Sequence, residues 1–213
     1  MTNDPSNSPV SLSKVTLTKA APAVSLAKQG GAAGILRVNL NWAQPAAKGG
    51  LFSRKPKGID LDLGCLYEYS DGSKGVVQAL GDSLRDVHTL GRDPICRLDG
   101  DDRSGTSTGG ENLFVDLRYA ANIRRILVFA FIYEGTPNWA AAQAVVTLFP
   151  VAGPQLEIHL DEPDPSAMMC AIAMIEGNGT DVSVRREVRY VRGGQRLLDE
   201  TYGWGMRWAA GRK

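Results

Sequence analysis

The chain has 213 residues, 43% of them apolar and 22% charged, with a formal net charge of +1. This suffices for one substantial core and is ordinary for a globular protein, so disorder and collagen-like repetition are excluded. Near-neutrality excludes attraction of the whole protein to nucleic acid or membrane, but it hides a split: acids predominate from Asp60 to Asp116, whereas Arg185 to Lys213 carries eight Arg or Lys against three acids.

The first nine residues are polar and rich in Pro, Ser and Asn, and are expected to form a flexible tail before a single domain spanning 10–213. They hold no apolar stretch suited to a signal sequence, and no later run is long enough to span a bilayer, so a cytoplasmic protein is expected. "ILRVNLNW" alternates Leu36, Val38, Leu40 and Trp42 against Arg37, Asn39 and Asn41, the period of a half-buried strand. Ala43 to Gly58, rich in Pro, Gly and Lys, reads as a long exposed loop. In "KGIDLDLGCLYEY" the same period sets Ile59, Leu61 and Leu63 on one face and Asp60 and Asp62 together on the other. "GVVQAL" is a strand leading to a turn, "LGDSL", that carries Asp82.

"LFVDLRY" reads as a strand with Leu113, Val115, Leu117 and Tyr119 inward, and "QLEIHL" and "DVSVRREVRYV" repeat the alternation. "ILVFAFIY" and "MMCAIAMI" are apolar throughout, as expected of central strands covered on both faces. "EGNGTD" is a hairpin turn, and only "NWAAAQAVV" and "GGQRLLDET" suggest short helices. Many short strands between Gly, Pro, Asn and Asp turns predict an all-β fold, an antiparallel β-sandwich with minor short helices.

The chemistry concentrates in "RLDGDDRSGTSTGGENL". Asp99, Asp101 and Asp102 crowd into four positions, with Glu111 behind them. Such carboxylates repel unless a cation or hydrogen-bond donors intervene, and calcium takes six to eight oxygen ligands of this kind. Counted from Asp99, however, position five is Arg103 and position twelve is Gly110, so this is no EF-hand. The alternative reading is that of turn acids capping backbone amides, or of Asp102 neutralised by Arg103.

In order along the chain, "VSLSKVTLTK", "IDLDLGCLY", "LGDSL", "LDGDDRSG" and "ILVFAFIYEG" resemble the motifs of the tellurium-resistance TerD-domain family, and most closely its TerA-like branch. The resemblance implies a calcium-binding β-sandwich with no catalytic activity, acting in bacterial stress resistance beside other Ter proteins at the membrane periphery. It also implies metal ligands at Asp60, Asp62, Asp82, Asp99, Asp101, Asp102 and Glu111, with a carbonyl from Gly100. One departure is the insertion "RDVHTLGRDPICR" between the Asp82 turn and the acidic loop.

Other classes fit less well. "GTSTG" spells a nucleophile motif around Ser107, but a loop precedes it, a strand follows it, and His88 and His159 are the only histidines. Cys65, Cys96 and Cys170 match neither a zinc site nor a redox pair; Cys96 is expected to be the least buried, and inert thiols are expected overall. The C-terminal segment interleaves Arg185, Arg186, Arg189 and Arg207 with Tyr and Trp, which suggests anion binding to nucleic acid or a membrane surface. Equally, its tryptophans could cover a sheet.

Overall fold

The computed structural model describes residues 14–30, 33–43, 59–81, 83–87, 93–99, 109–135, 138–179 and 181–209. The strands are β1 (Lys14–Thr16), β2 (Ala23–Ser25), β3 (Ile35–Asn41), β4 (Asp60–Tyr69), β5 (Lys74–Gln78), β6 (Cys96–Leu98), β7 (Glu111–Asp116), β8 (Ile123–Glu134), β9 (Ala144–Phe149), β10 (Gln155–Leu160), β11 (Met169–Gly177) and β12 (Val182–Val191). The helices are α1 (Trp139–Ala142) and α2 (Gln195–Tyr202). Two six-stranded sheets result, sheet A in the order β1-β10-β9-β3-β7-β6 and sheet B in the order β2-β12-β11-β8-β4-β5.

The expected sandwich is what forms, with one exception to its antiparallel character: β1 pairs parallel with β10. Alternation in β3, β7, β9 and β10 turns Leu36, Val38, Leu40, Leu113, Val115, Val146, Leu148, Leu156 and Ile158 toward sheet B, where they meet Leu61, Leu63, Val128 and Ile172 in the main core. The continuous apolar runs of β8 and β11 are indeed buried on both faces. Outside sheet B, Leu66, Phe129, Phe131 and Met169 form a second cluster with Leu198 of α2 and Trp204.

One strand expectation needs correction, and the expected short helix after it ends early. The run "LFVDLRY" leaves the sheet at Asp116, whose side chain accepts the Arg118 amide and opens a 3-10 turn over Leu117–Asn122. Helix α1 is only four residues long, because Gln143 enters the left-handed region at φ 47° and the following Ala-Val-Val joins β9. The edge strands β1, β2 and β6 have three residues each, and β5 has five. The expected tail and most of the Ala43–Gly58 loop lie outside the described residues.

Candidate functional site

The site is built on the first turn of pleat in β4. Because Leu61 and Leu63 enter the main core, Asp60 and Asp62 share the outer side of sheet B, as their spacing predicts. Neither is a solvated turn acid: Asp62 is fully buried and Asp60 half-buried. Asp60 stands directly opposite Glu134, the last residue of β8, and Asp62 opposite Phe131. Like charges in facing positions are unfavourable unless other groups compensate them.

Glu111 arrives from the other sheet. It opens β7 and is 4% exposed, and its Oε2 accepts the backbone N–H of Leu63 at 2.5 Å. The ladder between β4 and β5 begins only at Gly64 opposite Gln78, so Leu63 lies on a stretch of β4 edge that β5 does not cover. Glu111 takes that donor and joins the two sheets. Its delivery depends on Gly110, which has φ +66° and runs so close to β3 that a Cβ would strike the Leu40 carbonyl.

Asp99 has a different task. Its Oδ1 and Oδ2 accept from the Asn112 backbone N–H (3.2 Å) and side-chain Nδ2 (2.6 Å), and its own N–H donates to the Asn112 carbonyl (3.1 Å). It pins the end of β6 to β7, beside Glu111. Asn112 in turn accepts from Arg37 Nη1 (3.1 Å) and Asn39 Nδ2 (3.0 Å) at its Oδ1. Asp82, Gly100, Asp101 and Asp102 lie outside the described residues, as do Ser107 and His88. Among the described residues no group of three or more His, Cys, Asp or Glu has the spacing to hold a metal. The donor set that β4, β7 and β8 bring to this end is nevertheless all carboxylate oxygen, the chemistry of calcium rather than zinc or copper.

Sequence reasoning missed three buried or cross-strand acids. Glu134 is brought to Asp60 by non-local pairing, which no local pattern reports. Asp86, from the inserted segment, is interior: its Oδ2 accepts from the Tyr69 hydroxyl (3.0 Å) and the Cys96 N–H (2.8 Å). Glu68, further along the same face of β4 as Asp62, is 2% exposed and pairs with Arg124 (2.6 Å), Arg125 (2.7 Å) and Lys74 (3.9 Å). Burial raises the Glu68 pKa, but the Arg125 hydrogen bond and charge, with Lys74 and Arg124, outweigh it and hold the group below its ordinary value.

Cys96 is not the least buried thiol, since all three cysteines are enclosed; the reversal comes from its strand position facing the main core. Burial, then the Cys96 thiol, push the Cys65 pKa well up, and burial does the same to Cys170, so neither is a nucleophile at neutral pH. Of the C-terminal arginines, Arg185 faces Glu187 (2.5 Å), Arg186 faces Glu162 (3.4 Å), Arg189 lies over the Tyr202 ring (5.9 Å), and Arg207 is exposed. The tryptophans cover sheet B: Trp204 Nε1 donates to the Tyr67 carbonyl (3.0 Å) and Trp208 Nε1 to Asp199 (2.7 Å).

Comparison with known proteins places this architecture. No family model matches the chain. It is 43% identical over 207 residues to a tellurium resistance protein TerA from Alcaligenes sp., an alignment covering 96% of this chain and 60% of that relative. Over those residues the chain is similar to a tellurium resistance protein. It spans about 60% of the relative's length. The crystal structure of a homologue of telluride resistance protein (TerD) from Streptomyces coelicolor A3(2) has the same fold, with TM-score 0.52 and 18% identity over 78% of this chain and 95% of that one. A second structure, of a protein of unknown function, aligns with TM-score 0.56 and 12% identity over the same shares. Among the described residues no helix is long and apolar enough to cross a membrane.

Proposed function

We propose that the protein is a non-enzymatic calcium-binding module of a bacterial tellurium and stress-resistance system, cytoplasmic or at the inner membrane periphery, acting with other Ter-family or stress-response proteins. The calcium reading is supported by the carboxylates along the start of β4: Asp60 faces Glu134 across the pair with β8, Asp62 follows on the same side, and Glu111 reaches the adjacent Leu63 N–H from the other sheet. Asp101 and Asp102, with the Gly100 carbonyl and Asp82, would complete the oxygen set from the adjoining loops. Asp99 supports that set by holding Asn112 and hence the start of β7. Calcium supplies the positive charge that lets several carboxylates occupy one end, and so fixes the loops that meet a partner. Nothing in the reading uses a nucleophile, which agrees with the buried thiols.

Calorimetric titration of chelator-stripped protein with calcium, paired with thermal melting, tests it. Saturable binding and a raised melting temperature are expected, with affinity reduced about tenfold or more by Asp101→Asn and by Glu111→Gln. Absence of binding in the folded wild-type protein refutes the reading.

A further inference from the structure

The outer face of sheet A carries a ladder that the calcium reading leaves unused. Phe149 of β9 is the register partner of Arg37 in β3, Arg37 of Phe114 in β7, Phe114 of Arg97 in β6, and Arg97 of Arg85 in the segment beyond. One row therefore reads Phe-Arg-Phe-Arg-Arg across the sheet. All five point outward, since their neighbours Leu36, Val38, Cys96, Leu98, Leu113, Val115, Leu148 and Asp86 are buried. The guanidinium of Arg37 lies 3.8 Å from the centroid of Phe149, and that of Arg97 lies 4.3 Å from Phe114.

Stacking occupies a guanidinium's face and leaves its N–H edge pointing away from the ring. Arg37 donates one of its N–H groups to Asn112; among the described residues neither Arg97 nor Arg85 forms an ion pair. The acids around the row are already engaged: Asp86 by Tyr69 and Cys96, Asp93 and Asp116 by Arg118, and Asp99 by Asn112. Arg85 and Arg97 meanwhile stand directly opposite one another, a repulsive arrangement that an anion between them would relieve. Beside the row are the exposed Ile35 and Val151.

We infer that this face docks a carboxylate-rich segment of a partner protein. The charge complementarity is to oxyanions, because fork-shaped donors with free edges suit carboxylates in bidentate geometry. A protein is favoured over a nucleic acid on two grounds. The Phe rings have faces covered by arginine, which removes stacking platforms for bases. The mixture of Arg and Phe in the row, with Ile35 beside it, is the composition of a protein-protein contact. The inference does not rest on calcium.

Fluorescence anisotropy with a labelled peptide of about 12 residues, Glu at alternate positions, tests it in the presence of a chelator. The comparisons are the Gln counterpart, a thymidine oligonucleotide of equal length, and salt raised from about 50 to about 300 mM. Salt-sensitive binding of the Glu peptide alone is expected, weakened about tenfold by Arg97→Ala or by the exposed Arg85→Ala, less by Arg97→Lys, and unchanged by Arg196→Ala on α2. Melting temperatures within about 3 °C of wild type establish that these variants fold. The proposal is overturned by no binding of the Glu peptide, by binding indifferent to Arg85 and Arg97, or by tighter binding of the oligonucleotide through the same residues. Self-association at higher concentration, lost in Arg97→Ala, would replace the foreign partner with a second copy.

Discussion

The outer faces of the two sheets have opposite fates. That of sheet B is closed: Trp204 and Leu198 seal Leu66, Phe129 and Phe131, and Glu68 is neutralised beneath them by Arg124, Arg125 and Lys74. That of sheet A has no described helix across it, and its arginines lie over phenylalanines rather than against carboxylates. Both faces use arginine and aromatic side chains, but on sheet B they are spent on the fold. On sheet A they are held ready in a regular row. Arginine-aromatic content therefore does not mark a binding surface until the carboxylates around it have been located.

The contrast is most directly broken at Trp204. Trp204→Ala removes a fully buried ring, its hydrogen bond to Tyr67 and the stacking of Arg125 at 3.9 Å, and is expected to lower unfolding free energy by about 3–5 kcal/mol in urea denaturation. Glu68→Gln is expected to cost about 2 kcal/mol, since it removes the charge that the partly buried Arg125 pairs with. It also changes the acid limb. Because the folded pKa of Glu68 lies below its ordinary value, its contribution is complete above about pH 4.5 and is lost as pH falls through the lower folded value. Stability profiles of wild type and Glu68→Gln should therefore converge as pH drops below that point.

Asp99→Ala, by freeing Asn112, is expected to cost about 1–2 kcal/mol while leaving calcium stoichiometry intact, measured by melting and calorimetry together. Smallest of all is Arg37→Ala on the open face. Its loss of stacking on Phe149 and of the hydrogen bond to Asn112 should together cost no more than about 1 kcal/mol in denaturation. A large destabilisation there would mean that the row serves the fold after all.

Much of this contrast is legible in the sequence. "ILRVNLNW" and "QLEIHL" alternate because one face is open, whereas "ILVFAFIY" and "MMCAIAMI" do not because both faces are covered, and the structure agrees at each. Period alone sets Asp60 and Asp62 on a common face. What local pattern does not carry is pairing. The meeting of Glu134 with Asp60, the reach of Glu111 to Leu63 and the five-residue row all depend on strands far apart in sequence. Asp99 shows the converse: an acid-dense spelling suggests a ligand, whereas its geometry is that of a clasp on Asn112.

The lengths of the outermost strands have a further consequence. A sheet edge is a template for another chain, and three-residue edges at β1, β2 and β6 offer little to copy. The longest edge, β5, shares a groove with Gly205 to Trp208, and the Lys74 ammonium donates to the Trp204 carbonyl (2.8 Å). The segment after α2 thus runs beside the longest edge and is tied to its first residue. Truncation at Tyr202 is therefore expected to expose β5 together with the apolar cluster that Trp204 covers, and to favour association through that edge, read as larger species in size-exclusion chromatography.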